Sequence, residues 1–215
     1  MQLHILTTGT QELTQASEIA AAVHPFADFL HIREKHRSAK ELLSWVERFA
    51  AAGVPLGKII INDRLDVALA AGAGGVQLTE ASLPLQRAKE IAGSMKLGRS
   101  VHQTKDALEI KKKEAEWLIF GHVFPTASKP DRKPAGLRKL KEVSAAASVP
   151  VIAIGGIQAR HIQDIAQAGA EGIAVMSGIF TSGDPIAAAA YYRQEIQRVE
   201  EEHNENYSEW QTGRH

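Results

Sequence analysis

The chain has 215 residues, with 25 basic and 25 acidic side chains and no cysteine. Zero net charge gives no pull toward nucleic acid or an anionic membrane, and the missing cysteines exclude disulfides, thiolate nucleophiles and cysteine-held metal. No apolar run approaches the ~20 residues needed to span a bilayer, and the opening MQLHILTTGT lacks the regions of a signal peptide, so a soluble cytoplasmic protein is expected.

Along the chain, short apolar runs alternate with amphipathic ones of helical length. Strands are expected at Leu3–Thr7, Phe29–Arg33, Lys58–Asn62, Gly75–Leu78, Leu97–Val101, Trp117–Gly121, Val151–Ile154 and Gly172–Met176. Between them, Ser38–Ala51 carries Leu42, Leu43, Val46 and Phe49 on one face, with Gly53 closing it. Thr104–Lys113 opens on a capping threonine, Leu137–Ala147 has Leu137, Leu140 and Val143 on one stripe, and Gln158–Ala168 ends at Gly169. Asp184–Val199 follows the last strand, with Asp184 as N-cap and Pro185 at the first helical position. Eight strand–helix pairs predict a single-domain (β/α)8 TIM barrel over residues 1–200. The runner-up, an open doubly wound sheet, lacks a G-x-G-x-x-G after the first strand. Residues 201–215 are polar and aperiodic, and are expected as a disordered tail. Ile186, Tyr191 and Tyr192 read as exposed apolar residues on the last helix, which suits packing on the first helix or a dimer or larger homo-oligomer.

The densest functional signal is PVIAIGGIQARHIQDIAQAGAEGIAVMSGIF at 150–180, where two buried parallel strands end in Gly155-Gly156 and Ser177-Gly178. Glycines there let backbone N–H groups approach an anion, and the loops after strands seven and eight commonly hold phosphate in such barrels. The competing account is that these glycines serve tight turns.

Other polar residues cluster at strand carboxyl ends, where barrel active sites sit. His31, Arg33 and Lys35 alternate and share a direction into the barrel or its mouth, where cations need an anion, either a neighbour such as Asp63 or Glu34 or a ligand. Asn62, Gln77, Thr79, Glu80, Arg99, Ser100, His102 and Lys129 add further groups. His122 ends the run WLIFG and can give and take a proton near neutral pH. No Ser-His-Asp order or G-x-S-x-G elbow supports acyl transfer. Asp63, or Glu80 as the nearest alternative, could hold Mg²⁺ only with help from substrate phosphates.

The stretches HIREK (31–35), INDRLDVALAAGAGGVQL (61–78), GRSVH (98–102), FGHVFPTASKPD (120–131) and VIAIGGI…AGAEGIAVMSGIF (151–180) resemble the thiamin phosphate synthase superfamily from Leu3 to about Tyr192. The departures are specific. Synthases usually carry Gln at His31, a second Mg²⁺-binding aspartate at Ser82 and proline at His122, while Asp63 matches the first aspartate. A sister group, the TenI thiazole tautomerases, has the histidine of G-H-V-F. This resemblance implies an isomerase that aromatises a carboxylated thiazole phosphate by a 1,3-proton shift, with no metal or organic cofactor. It implies His122 as proton carrier. Gly155, Gly156, Ser177 and Gly178 would hold the phosphate, and Arg33, Lys35, Asn62, Arg99, Ser100 and Lys129 the carboxylate and ring. The alternatives are a thiamin phosphate synthase, joining hydroxymethylpyrimidine pyrophosphate to thiazole phosphate, and a non-catalytic binder of a thiamin intermediate.

Overall fold

The computed structural model describes residues 1–110 and 114–212. Eight parallel strands close into a barrel in sequence order: β1 Gln2–Leu6, β2 Phe29–Ile32, β3 Ile59–Asn62, β4 Gly75–Leu78, β5 Lys96–Val101, β6 Trp117–Gly121, β7 Val151–Ile154 and β8 Gly172–Val175. Closure is made by β1 against β8, pairing His4 with Ala174 and Ile5 with Val175. The helices are α1 Leu13–Val23, α2 Ala39–Ala51, α3 Leu65–Ala71, α4 Leu85–Ala92, α5 Thr104–Leu108, α6 Gly136–Ala146, α7 Ile162–Gln167, α8 Ser177–Phe180 and α9 Pro185–Thr212. The single-domain (β/α)8 barrel expected from the alternation is therefore the observed architecture.

Strand alternation divides the core in two. Leu3, Ile5, Ile61, Leu118 and Phe120 face outward and pack against the helices. Leu6, Ile60, Trp117, Ile119, Ile152 and Ala174 fill the barrel interior. Space for the indole depends on Gly98, where a Cβ would lie 2.3 Å from Trp117 Nε1 and 2.2 Å from Gln77 Oε1. The indole N–H donates to Gln77 Oε1 at 2.8 Å, and Gln77 Nε2 donates to Ser100 Oγ at 3.1 Å. A buried polar ladder thus runs from the barrel floor to its mouth.

A second ladder lies beside it. His4 Nε2 meets Gln2 Oε1 at 3.0 Å, and His4 Nδ1 meets His31 Nε2 at 2.9 Å. The amide oxygen requires a proton on His4 Nε2, so His4 Nδ1 accepts and His31 Nε2 donates. His31 Nδ1 is then a bare, buried acceptor, and it has no partner among the described residues. His31 is thus inside the barrel, as the alternation requires, but it is held by a neutral histidine and no carboxylate.

Several helix ends form as their sequences dictate. Glu41 N–H donates to Ser38 Oγ while the Glu41 carboxylate accepts from Ser38 N–H at 2.8 Å, a reciprocal cap on α2. Asp184 accepts from Ala187 N–H at 2.9 Å and caps α9. The Thr104 helix is capped one residue earlier, at Gln103, and α5 ends at Leu108; residues 111–113 of the expected helix lie outside the described residues.

Two expectations are corrected at the carboxyl end. The polar stretch after Val199 is not a structureless tail: α9 continues to Thr212, because the stretch holds no proline or glycine before Gly213 to stop it. Residues 213–215 lie outside the described residues. Tyr192 is buried, its hydroxyl donating to the Ile157 carbonyl at 2.9 Å, which leaves Ile186 and Tyr191 as the exposed apolar pair. Tyr192→Phe removes that one bond and should lower stability by about 1 kcal/mol, a Tm drop of roughly 2–4 °C by calorimetry; an unchanged Tm would show the bond to be neutral. No helix among the described residues is long and apolar enough to cross a membrane.

Candidate active site at the barrel mouth

A cavity of about 370 Å³ opens at the carboxyl ends of the strands, within the size range of small-molecule sites. Of the expected residues, it brings together Arg33, Lys35, Asn62, Ser100, His122, Lys129, Gly155, Gly156, Ser177 and Gly178. Its floor is apolar, made by Leu6, Ile119 and Ala174 from the interior cluster.

Arg33 and Lys35 extend from the end of β2, and Lys129 reaches in from the long loop between β6 and α6. Burial lowers the pKa of Lys129 from its ordinary value, and the charges of Arg132, Lys35 and Arg33 lower it further. Burial likewise lowers that of Arg33, partly opposed by the Glu34 carboxylate. None of Arg33, Lys35 and Lys129 forms a salt bridge among the described residues. Half-buried Arg33 and Lys129 and exposed Lys35 thus form a cluster of positive charge on one side of the cavity.

The Gly155-Gly156 turn needs its glycines for conformation and for space. Both residues adopt positive φ, +98° and +65°. A Cβ on Gly155 would lie 2.3 Å from the His122 Cβ, and one on Gly156 would lie 2.2 Å from the Pro125 carbonyl oxygen. The β6–α6 loop packs directly on this turn, Val123 and Phe124 N–H donating to the carbonyls of Ile154 and Gly155 at 2.9 and 3.0 Å. The glycines therefore permit a turn and a close loop approach at the cavity wall. Gly155→Ala should destabilise by about 2–4 kcal/mol, through both strain and clash, and should disorder this wall; denaturant titration with an unchanged midpoint would refute that.

His122 lines the cavity and is only 8 % exposed. Its Nε2 donates to the Arg132 carbonyl at 3.0 Å, and its own carbonyl accepts from Ala135 N–H at 2.9 Å. The ring therefore ties down the far end of the loop that carries Lys129. The peptide between Gly121 and His122 is cis.

Arg99 is not brought into the cavity. Its guanidinium donates to the Thr79 carbonyl at 2.8 Å and braces β4 against β5. Adjacent strand residues point to opposite faces, so with Ser100 facing in, Arg99 faces out. Thr126 and Ser128 line the cavity and were not singled out in sequence; their signal was membership of the proline-bracketed loop VFPTASKP. Gln77, Thr79, Glu80 and His102 also line it.

Asp63 and Ser82 form a separate latch above β3 and β4. Asp63 is exposed and holds φ +71°, uncommon for a residue other than glycine. Its carboxylate accepts the proton of Ser82 Oγ, and Ser82 Oγ in turn accepts from Thr79 N–H at 2.7 Å. These are the two positions at which the synthases that the chain resembles usually carry Mg²⁺-binding aspartates. The donor set does not fit such a site: a single carboxylate stands where two are needed, and the hydroxyl beside it already gives its proton to that carboxylate. Among the described residues there is no group of three histidine, aspartate or glutamate side chains able to hold a metal ion.

The fold and its mouth define a (β/α)8 barrel with a cationic, glycine-walled cavity at the carboxyl ends of its strands. Residues 3–179 match the family described as thiamine monophosphate synthase, TMP-TENI, and the chain belongs to that family. It is 41 % identical over 177 residues to a thiamine-phosphate synthase of Desulfitobacterium hafniense strain Y51, covering 80 % of this chain and 84 % of the relative. It is 33 % identical over 200 residues to that of Pyrococcus abyssi, covering 93 % and 96 %. Among solved structures it is similar to a thiamine phosphate pyrophosphorylase of Pyrococcus furiosus, with TM-score 0.78, 30 % identity, and coverage of 92 % of this chain and 96 % of that one. These relatives correct the expected isomerase. The two relatives carry the name of a synthase, a transferase, and the solved structure that of a pyrophosphorylase; none is named a tautomerase. The isomerase expectation rested on the stretches GRSVH, FGHVF, PVIAIGG and GIAVMSGIF and on the departures at His31, Ser82 and His122; the His122 ring donates to the Arg132 carbonyl and holds the loop.

Proposed function

We propose that this protein is a thiamine-phosphate synthase, a transferase that joins hydroxymethylpyrimidine pyrophosphate to thiazole phosphate. The observation that carries the reading is that one cavity is lined by two groups of residues suited to anions: Arg33, Lys35 and Lys129 on one side, and Gly155, Gly156, Ser177 and Gly178 at the ends of β7 and β8. A transferase with two phosphorylated substrates needs both. The names of the relatives point the same way.

In this reading the glycine wall and Ser177 take the thiazole phosphate, and the three cations take the pyrophosphate. The C–O bond of the pyrimidine methylene breaks with its electron pair leaving on pyrophosphate. The thiazole ring nitrogen donates its lone pair to the same carbon and forms the C–N bond. The protein then has to orient two rings and stabilise a leaving group whose negative charge grows, which cations clustered at one side of the cavity do well. The apolar floor of Leu6, Ile119 and Ala174 suits the planar rings.

The test is direct. The full chain, given both substrates with and without Mg²⁺, should release pyrophosphate and form thiamine phosphate, followed by its conversion to fluorescent thiochrome. No product under either condition would overturn the proposal.

A further inference from the structure

The synthases that the chain resembles usually carry Mg²⁺-binding aspartates at two positions, and this chain presents one acid and one serine there. The Ser82 hydroxyl does more than lack a charge. It closes the β4–α4 loop on itself, since Ser82 N–H donates to the Thr79 carbonyl at 3.1 Å and Ser82 Oγ accepts from Thr79 N–H. Its proton then goes to Asp63, which is itself pinned by Asp63 N–H donating to the Gln77 carbonyl at 2.9 Å. A hydrogen bond therefore satisfies the carboxylate where a second carboxylate would need a cation to relieve repulsion. In the same mouth, Arg33, Lys35 and Lys129 stand without salt bridges, and Glu80 is the one carboxylate lining the cavity among the described residues.

We propose that this barrel binds its pyrophosphate-bearing ligand without a resident divalent cation, with Arg33, Lys35 and Lys129 supplying the positive charge and the Ser82 hydroxyl holding Asp63 in place of a metal. The inference rests on the synthase reading for the identity of the ligand. When the C–O bond breaks, the electron pair that leaves on pyrophosphate is met by three cations, and the positive charge that appears resides on the thiazolium nitrogen of the product.

The experiment uses the full chain. Inorganic pyrophosphate is titrated calorimetrically in EDTA, Mn²⁺ binding is followed by electron paramagnetic resonance, and thiamine phosphate formation is measured with Mg²⁺ and with EDTA. Pyrophosphate should bind in EDTA, and Ser82→Asp should raise Mn²⁺ affinity by about tenfold over wild type, because a second carboxylate completes the pair. Ser82→Asn, similar in size to aspartate and uncharged, should give no such rise. Pyrophosphate binding that appears only with Mn²⁺ or Mg²⁺, or wild type holding Mn²⁺ as tightly as Ser82→Asp, would overturn the inference. The two readings fail separately. Pyrophosphate that binds only with a divalent cation, while product still forms with Mg²⁺, overturns metal-free binding and leaves the synthase standing. Pyrophosphate bound in EDTA with no product under any condition overturns the synthase and leaves metal-free binding standing.

Discussion

Lys129→Met should lower kcat/KM for thiamine phosphate formation by roughly 30- to 150-fold, the equivalent of about 2–3 kcal/mol for a lost charge-assisted hydrogen bond. Lys129 is half-buried on the β6–α6 loop, and its ammonium is destabilised first by burial and then by Arg132, Lys35 and Arg33. In the free protein it is an unfavourable charge. A bound polyanion converts that repulsion into attraction, so the loss on truncation falls on ligand binding while the fold keeps its stability. The depressed pKa gives a second readout. Anion binding should weaken with rising pH earlier than it would for an ordinary lysine, because Lys129 loses its proton sooner. Lys129→Arg, always charged in this range, should move that fall to higher pH while keeping most of the activity. Turnover unchanged in Lys129→Met would remove this residue from the anion site.

How the site was legible, and where it was not, follows from what alternation can and cannot carry. Buried parallel strands read as near-continuous apolar runs, so all eight stood out, with ends within a residue of those observed. Polar residues at strand ends then fell into the cavity. Arg99 was the failure, and period-2 alternation already contained the remedy. Arg99 and Ser100 cannot both face the mouth, and choosing between them needed the register of β5 against β4, where Arg99 lies beside Leu78. His122 was legible as a mouth residue. Its bond to Arg132, ten residues on along a loop, was not, because no periodicity governs a loop that folds back on its own strand.

The carboxyl end failed for another reason. Aperiodic polarity after Val199 reads as disorder, yet a helix already anchored by Ala189, Tyr192 and Ile196 continues wherever no residue breaks it. Ser82 is the opposite case. Sequence marked it as a departure, but that its hydroxyl bonds to Asp63 appears only once β3 and β4 are side by side.

Acid should unfold this protein steeply through its own core. Burial pushes the His4 pKa down to about 3, and burial together with His4 holds His31 well below the ordinary imidazole value of 6.5. Both rings are neutral in the fold and take up protons readily once unfolded. The unfolded chain therefore binds more protons below pH about 6.5, and folded stability falls by about 1.4 kcal/mol per pH unit for each ring. By pH 4 His4 alone would remove roughly 3 kcal/mol, a sizeable part of the stability of a domain, and His31 adds to the loss in the same direction. Glu34 works in the other direction, since burial raises its carboxyl pKa and favours the folded state as pH falls through that range. The window between about pH 6.5 and pH 5 is the cleaner test, lying above much of the ordinary carboxylate range. His31→Gln isolates the cause. A glutamine amide can still donate to His4 Nδ1, as His31 Nε2 does now, but it cannot titrate. Urea unfolding at stepped pH should show the slope in this window reduced by one ring's share in His31→Gln relative to wild type, the rest staying with His4 and with His24 and His161, whose pKa values burial also lowers. An unchanged slope would place the acid sensitivity elsewhere than in this histidine pair.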